Sequence, residues 1–217
     1  MSDGRPRRRL PREAREQQII DCAIHVFAKR GYRAASVDEI AELAGVSKPL
    51  VYLYFESKGG LFLACLRREE KRLVGAFQGA AKEVSTSELR LWAGINAFFA
   101  FVAEHADGWA VLHRQAPGLD EAIAAEIVRA RQSVLAEVHT LVRDGIALSA
   151  GPVRLGDTDA DFVAHALVGA ADSLTDWMER HPEESPDRTS LRLMGMVWIG
   201  MRQVLEGEVW TPPTPGE

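Results

Sequence analysis

Residues 36–58 read SVDEIAELAGVSKPLVYLYFESK, and this stretch decides the fold of the N-terminal part of the chain. Ser36 and Glu39 have the spacing of a capping box, in which each side chain bonds to the backbone N–H of the other residue. Asp38 and Glu39 also place negative charge at the positive end of the helix dipole. The stretch therefore predicts a short helix over about residues 37–44.

A second short helix is predicted after a tight turn. Gly45 can take the left-handed backbone of a sharp turn. Ser47 can cap the following helix, and Pro49 lies in its first turn, where the missing N–H is not needed. This helix is expected to run to about Tyr54 or Phe55. Two short helices held at a fixed angle across such a turn form a helix-turn-helix, whose second helix enters the major groove of DNA.

The flanking segments complete a small helical domain. Apolar residues recur at helical spacing before the motif, so a first helix is predicted over about residues 12–30, and Gly31 is expected to end it. Ser57 can cap a fourth helix over residues 58–83. The small core that holds the two short helices is predicted to contain Ile40, Leu43, Ala44, Val46 and Val51.

This segment closely resembles the TetR family of one-component regulators. The family pattern has a first helix that ends in Phe-x-x-x-Gly-Tyr, here Phe27 to Tyr32, then Ser or Thr before the second helix and Ala-Gly-Val-Ser at the turn. It continues with Tyr-x-Tyr-Phe in the third helix and Ser-Lys before the fourth, and the chain matches both. The resemblance covers about residues 12–65 and implies a DNA-binding transcriptional regulator.

Two sites depart from that family pattern. Gly59 and Gly60 stand where acidic residues are common, so Ser57 loses a capping partner. The start of the fourth helix is therefore expected to be loose, or to act as an adjustable hinge. Val51 replaces the usual leucine of the third helix, which we interpret as a core adjustment.

The third helix and its flanks supply the candidate DNA contacts. Lys48 can donate to guanine or phosphate, or remain a solvated surface lysine, and Pro49 and Leu50 can touch a thymine methyl group. Tyrosine hydroxyls can donate to phosphate, although the same rings can also pack inside the small domain. The free N–H groups of the fourth helix are expected to form a phosphate site with the lysine at its start. The predicted DNA-binding residues are Ser36, Ser47, Lys48, Pro49, Leu50, Tyr52, Tyr54, Lys58, Arg7, Arg8 and Arg9.

Charge is unevenly distributed along the chain. Residues 1–60 contain 11 Lys+Arg and 8 Asp+Glu, whereas the remainder contains 15 and 23. An acidic protein with a basic N-terminal end fits a chain in which one end meets phosphate. The arginine-rich arm before the first helix can enter the minor groove beside the motif, or remain a solvated tail, and both interpretations stay open here.

Other classes of protein fit the sequence poorly. It shows no signal peptide and no run of about 20 apolar residues, so a cytoplasmic protein is predicted. Cys22 and Cys65 lie in apolar helical segments and are interpreted as reduced thiols rather than as a disulfide or a zinc site. No Walker loop, HExxH, GxSxG or dinucleotide fingerprint occurs, so neither an enzyme nor a bound cofactor or metal is expected.

The rest of the chain has a helical pattern throughout, with breaks rich in Gly, Pro, Asp and Ser. The predicted fold class is all-α, with a three-helix helix-turn-helix domain followed by a larger helical domain and about nine helices in total. The predicted domains are an arginine-rich disordered arm at residues 1–11, a DNA-binding domain at 12–58, a ligand-sensing and dimerisation domain at 59–208, and a disordered tail at 209–217.

Aromatic residues beside a few polar groups characterise the larger domain. Apolar walls with few polar groups suit a ligand pocket, and they also suit an ordinary core. A satisfied structural histidine is likewise an alternative for His165. The candidate ligand-binding residues are Trp92, Phe99, Trp109, His113, Phe162 and His165.

The last two long helices carry apolar stripes that permit a subunit interface. In the family that the chain resembles, these two helices of each subunit form a four-helix dimer interface. A homodimer would place two recognition helices about one DNA turn apart and implies a near-palindromic operator. The candidate interface residues are Leu167, Ala171, Leu174, Met194, Trp198 and Met201.

The resulting hypothesis is a ligand-responsive transcriptional regulator, a repressor by family resemblance, that a largely apolar small molecule releases from its operator. The two alternative functions are a helical enzyme and an architectural DNA-binding protein. A helical enzyme would need converging titratable groups, for which His113, His139 and His165 are the candidates, but no motif organises them. A DNA-coating architectural protein would not need the large acidic remainder of the chain.

Overall fold

The computed structural model describes residues 11–82, 84–113, 119–148 and 155–206, and these ranges form nine α-helices, which confirms the predicted all-α fold class. The observed helix order is also the predicted one. The helices are α1 (Arg12–Ala34), α2 (Val37–Leu43), α3 (Lys48–Phe55), α4 (Lys58–Ala81), α5 (Ser87–Glu104), α6 (Ala106–His113), α7 (Glu121–Ala147), α8 (Asp157–Arg180) and α9 (Pro186–Leu205).

Glycines set the bends of the N-terminal helices. Gly31 has a φ of 72° and interrupts α1, so the helix breaks where the sequence predicted its end and resumes for one further turn. Gly45 has a φ of 63° in the turn between α2 and α3. Both glycines take the left-handed backbone that their lack of a Cβ allows.

The helix-turn-helix core differs in detail from the prediction. Ser36 Oγ accepts from the N–H of Asp38 at 3.1 Å rather than from that of Glu39, whose carboxylate receives Arg30 of α1 at 3.4 Å. Leu43 is 54% exposed, so its assignment to the core was wrong. The reason is that α2 is only seven residues long and turns Leu43 away from its buried face. The buried residues of the pair include Val37, Ile40, Ala41, Ala44 and Val51.

The joint between α3 and α4 is close-packed rather than loose. Glu56 has a φ of 63°, and the N–H of Ser57 donates to Phe55 O at 2.6 Å, two residues back. Ser57 Oγ accepts from the N–H of Gly60 at 2.9 Å and so still caps α4. A Cβ at Gly60 would overlap the carbonyl oxygen of Phe55. The double glycine therefore allows the chain to turn tightly from α3 into α4.

The chain divides into two compact units. The first contains Met1–Glu70 and Asp107–Ala130, and the second contains Lys71–Ala106 and Arg131–Glu217. The helix-turn-helix, the start of α4, most of α6 and the first part of α7 thus belong to one unit. The domain boundary after Lys58 stays a prediction, and α4 continues through it without a break.

Within the first unit, a charged cluster joins α4 to α7. Arg129 donates to Glu70 at 2.6 Å and to Glu126 at 3.0 Å, and Arg67 donates to Glu126 at 2.7 Å. Hydrogen bonds from Arg129 and then Arg67 lower the pKa of Glu126 to about 2. Glu70 is buried, so its charge depends on Arg129 for compensation.

We expect Arg129→Ala to lower the free energy of unfolding by about 2 kcal/mol, because it leaves the buried Glu70 without this partner. The estimate is below that for a fully buried pair, since the Arg129 side chain is 49% exposed. Urea unfolding at pH 7 measures the change. Arg143→Ala removes an equally exposed arginine whose pairing with Asp144 is local, and it should change stability by less than about 0.5 kcal/mol.

The same cluster predicts an acid dependence. The pKa of Glu126 is about 2 in the folded chain, below its ordinary 4.5, so its ionised form stabilises the fold above pH 4.5 and this contribution is lost as the pH falls towards 2. Arg129→Ala removes the larger cause of that shift, so the variant should lose less stability over this interval than the wild type. Equal losses in the two proteins would contradict the assignment.

In the second unit, α5 packs against α9 and α8. Phe98, Phe99 and Phe101 of α5 are buried there. Polar contacts attach α7 to α8: Arg131 donates to Asp172 at 3.1 Å, and His139 Nε2 lies 3.3 Å from Asp157 Oδ1. This unit has an apolar centre around α5 and charged links at its periphery.

Candidate nucleic-acid interface

The outward face of α3 is set by burial of its opposite side. Val51 and Phe55 are buried against the rest of the small domain. Because successive residues are turned by about 100°, the face opposite to them is exposed to solvent. It carries Pro49 and Leu53, and Tyr52 lies at its edge; all three are exposed. Lys48 lies on the same side of the helix as Val51 and is exposed because it is the first helical residue. Three of these four residues are among the predicted DNA contacts, and Leu50 is half-buried at the edge of the same face.

Lys48 is exposed but has a partner. Its Nζ donates to Asp38 Oδ2 at 2.8 Å, which links the start of α3 to the start of α2. This hydrogen bond is the main reason that the pKa of Lys48 is raised. A contact of Lys48 with phosphate or guanine therefore has to compete with the carboxylate of Asp38.

The two tyrosines of α3 have different surroundings. Tyr52 is 38% exposed on the outward face. Tyr54 is half-buried, its ring lies 6.1 Å from that of Phe55, and the guanidinium of Arg12 lies 5.5 Å from its centroid. Tyr54 therefore packs beside Phe55 and also contacts Arg12 at the edge of the helix. Tyr52 remains available to a ligand of the outward face.

Lys58 is turned towards α1. Its Nζ donates to the carbonyl oxygen of Arg33 at 3.0 Å and lies 4.9 Å from the ring centroid of Tyr32. Burial lowers the pKa of Lys58. The ammonium of Lys58 has three N–H donors, so the predicted phosphate site at the start of α4 stays a prediction beside this contact.

The serines have local roles in this structure. Ser36 is half-buried and caps α2. Ser47 precedes α3 and is exposed, but its side chain makes no capping hydrogen bond, which corrects the sequence prediction. Pro49 occupies the second helical position and has no N–H to donate, and the N–H of Leu50 donates to the backbone carbonyl of Ser47 at 2.9 Å instead. Arg7, Arg8 and Arg9 lie outside the described residues.

Sequence reasoning missed two residues of this surface. Leu53 is 73% exposed, although it was not distinguished from the buried apolar residues of α3 in the sequence prediction. Its position four residues after Pro49 is the signal that could have found it. Arg12 was counted with the arginine-rich arm, and the structure places it at the start of α1 beside Tyr54.

The candidate ligand-binding residues are distributed over both compact units. Trp109 is buried in the first unit, and its ring stacks on His113 at 4.8 Å. Trp92 is half-buried and Phe99 fully buried on α5 of the second unit. On α8, Phe162 is 74% exposed, and the exposed His165 has its Nδ1 2.9 Å from Asp161 O. Phe162 and His165 therefore line no enclosed space in this protomer.

Two of the candidate interface residues are buried within the protomer, and four are partly exposed. Leu167 and Met194 are buried. Ala171, Leu174, Trp198 and Met201 are half-buried. The same two helices also carry exposed apolar residues, which are Phe162, Ala166 and Gly169 on α8 and Leu191, Gly195, Met196 and Ile199 on α9.

Within the described residues, the structure has neither a cluster suited to a metal ion nor a helix suited to a membrane. Across residues 11–82, 84–113, 119–148 and 155–206, no group of three or more His, Cys, Asp or Glu side chains could hold a metal ion. Over the same ranges, no helix combines the length and apolarity needed to cross a membrane.

Comparison with protein families gives two matches. Residues 19–65 match the model described as bacterial regulatory proteins of the tetR family. Residues 88–200 match the model described as a tetracyclin repressor-like C-terminal domain, which is more than half of the chain. The first match contains the helix-turn-helix, and the second lies in the larger helical part.

Individual relatives agree with these matches. The HTH-type transcriptional activator FasR of Mycolicibacterium smegmatis is 32% identical over 197 residues, which are 90% of this chain and 87% of FasR. A TetR-like transcriptional regulator from Rhodococcus sp. RHA1 has a TM-score of 0.72 at 35% identity, covering 89% of this chain and 99% of that one. FadR from Bacillus subtilis, solved in complex with stearoyl-CoA, shares the fold, with a TM-score of 0.71 at 20% identity over 89% of this chain and 99% of FadR.

These matches cover both the helix-turn-helix and the larger helical domain. The family that they identify is one of transcriptional regulators rather than of enzymes. The chain therefore belongs to the TetR family of helix-turn-helix, DNA-binding transcriptional regulators.

Proposed function

We propose that the protein is a homodimeric, cytoplasmic repressor that leaves a near-palindromic operator when a largely apolar small molecule binds its C-terminal domain. The observation that carries this proposal is that helices of the helix-turn-helix domain contact helices later in the chain. His25 of α1 and Asp107 of α6 approach to 2.7 Å, and the cluster around Arg129 joins α4 to α7. A shift of α6 or α7 would therefore move the helix-turn-helix with it.

The contact between α4 and α6 supports the same coupling. Glu69 of α4 is 1% exposed and lies against Gly108 of α6. A Cβ at Gly108 would lie 2.8 Å from Glu69 Cδ, so the Glu69 side chain occupies the space that a side chain at position 108 would need. A buried carboxylate fitted against the other helix in this way links α4 to α6.

The exposed apolar face of α8 and α9 supports the homodimer. Phe162, Leu191, Met196 and Ile199 are each between 56% and 78% exposed, although an exposed face of this kind is unfavourable in water. Pairing with the same face of a second copy would bury it by two-fold symmetry. We therefore propose that this face is part of the dimer interface.

The proposed effector is an apolar acyl compound. The relative FadR was solved with stearoyl-CoA, and a fatty acid metabolism regulator protein of Bacillus subtilis is 31% identical over 86 residues, which are 40% of this chain and 44% of that protein. The aromatic residues of α5, including the half-buried Trp92, offer apolar surface for such a chain. A long-chain acyl-CoA is thus the first compound to test.

Activation is the second candidate function, and the name of FasR as a transcriptional activator favours it. Both functions use the same DNA-binding face and differ in where the operator lies relative to the promoter. Run-off transcription from the promoter beside the gene separates them. Added protein should lower the transcript if it represses and raise it if it activates.

Binding to the intergenic DNA beside the gene, followed by fluorescence anisotropy, tests the proposal. Tyr52→Ala and Lys48→Ala should each weaken specific binding by roughly tenfold, because both side chains are exposed on α3. Lys82→Ala removes an exposed lysine at the end of α4 and should leave binding unchanged. Stearoyl-CoA should release the DNA. Tight binding that neither α3 variant weakens would refute the assignment of the reading face.

Asp38 should restrain DNA binding, because its carboxylate holds Lys48 and repels phosphate. We expect Asp38→Asn to strengthen binding by about two- to fivefold at low salt and by less at high salt, as for other exposed ion pairs. Glu42→Gln is the control, because it removes the same charge from another exposed position of α2, whereas Asp38 is the residue that pairs with Lys48. An equal gain in both variants would show that only net charge matters.

A further inference from the structure

The centre of the outward face of α3 is apolar. Pro49 and Leu53 are four residues apart, so they lie one above the other on the helix. Both are opposite to the buried pair Val51 and Phe55. Leu53 exposes 73% of its surface, so its side chain is available to a ligand of this face.

The polar groups of this face stand at its edges. Lys48 begins the helix and is held by Asp38, and Glu56 follows the last helical residue. The helix reads KPLVYLYF and contains no arginine, asparagine or glutamine. Of the residue types that pair with guanine or adenine by two hydrogen bonds, the helix therefore has only Lys48, and Asp38 already accepts a hydrogen bond from it. This face is therefore poorly suited to recognise purines by hydrogen bonds.

In the major groove, the base feature that matches an apolar side chain is the C5-methyl group of thymine. We propose that Leu53, together with Pro49, determines operator specificity by packing against thymine methyl groups. This inference rests on the proposed DNA-reading role of α3. It replaces Leu50 by Leu53 as the main apolar contact, since Leu50 is half-buried and Leu53 projects from the middle of the exposed face.

Replacement of thymine by deoxyuridine tests this proposal, because it removes the methyl group and keeps base pairing and charge. An operator is first selected from a random duplex library with the wild-type protein. Each thymine of the selected duplex is then replaced singly by deoxyuridine, and affinities are measured for the wild type and for Leu53→Ala. Leu43→Ala, which truncates a 54% exposed leucine of α2, is the matched control.

At one or two thymines in each half-site, deoxyuridine should weaken wild-type binding by roughly fivefold to tenfold. Leu53→Ala should weaken binding to the thymine duplex by a similar factor, and it should be insensitive to deoxyuridine at those positions. Leu43→Ala should keep the full response to deoxyuridine. Thermal unfolding should be the same for both variants, since both leucines are exposed.

The possible failures are distinct. If the wild type binds the selected duplex specifically but no deoxyuridine changes its affinity, the thymine proposal is overturned and the DNA-reading role stands. The proposal is also overturned if the effects of Leu53→Ala and deoxyuridine multiply at every position, because independent effects mean no contact. If the library yields no preferred sequence, the proposed function and this inference fall together.

Discussion

Gly60→Ala is expected to lower the free energy of unfolding by about 3 kcal/mol, near the upper end for an added group in a packed site. The new Cβ would overlap the carbonyl oxygen of Phe55, and a backbone oxygen cannot rotate away as a side chain can. Relief would require the joint between α3 and α4 to open, with loss of the hydrogen bond from Gly60 to Ser57 Oγ. The gain in helix propensity, about 1 kcal/mol, would offset only part of this cost.

The adjacent glycine provides the control. At Gly59, the nearest atom to an added Cβ is Tyr32 Oη at 3.5 Å, which is an ordinary van der Waals contact. Gly59→Ala should therefore stabilise the chain by about 0.5–1 kcal/mol through helix propensity alone. Urea unfolding of both variants measures the difference. Similar changes of the same sign in both variants would contradict the close packing of the joint.

Met196→Glu is expected to raise the dissociation constant of the proposed dimer by roughly 100-fold or more. Met196 is 78% exposed on α9, so the substitution should not disturb the protomer. In a two-fold interface each substitution occurs twice, and two carboxylates would be buried near the axis without a counter-charge. Operator affinity should fall as well, because a protomer alone carries one reading helix rather than two.

Sedimentation velocity over a concentration series measures this effect, with anisotropy on the operator alongside. Leu89→Glu is the control, since Leu89 is a 50% exposed leucine on α5, outside the apolar residues of α8 and α9 assigned to the interface. The control should remain dimeric and retain its helical circular dichroism. A Met196→Glu protein that stays as dimeric as Leu89→Glu would exclude α9 from the interface.

The sequence predicted those features that depend on neighbouring residues. Helix order, the cap at Ser36 and the positive φ of Gly31 and Gly45 are determined by short-range hydrogen bonds and by the missing Cβ of glycine. The reading motif was found for the same reason, because the turn and its flanking helices occupy one continuous stretch. Even here, Leu43 was misplaced, since a seven-residue helix leaves its apolar edge ambiguous.

Features that depend on distant segments were decided by the tertiary structure. Lys58 was expected at phosphate, but the carbonyl of Arg33, 25 residues away, accepts its hydrogen bond. Gly60 was expected to loosen the start of α4. The carbonyl oxygen of Phe55 instead lies so close to Gly60 that the site has no room for a Cβ. The ion pairs of Glu70 and Glu126 with Arg129 join α4 to α7 and left no pattern in the sequence.

The last two long helices show the limit of periodicity. A stripe of apolar residues predicts that a helix is buried, but α8 and α9 are apolar on two sides. Leu167 and Met194 were placed at the dimer interface, whereas packing against the protomer's own helices buries them and leaves Phe162 and Met196 exposed. By itself the sequence determined the helices, the reading motif and the family resemblance, because these follow from local chemistry. Only the tertiary structure decided which face of each helix remains exposed, because burial depends on segments that are distant in sequence and meet only after folding.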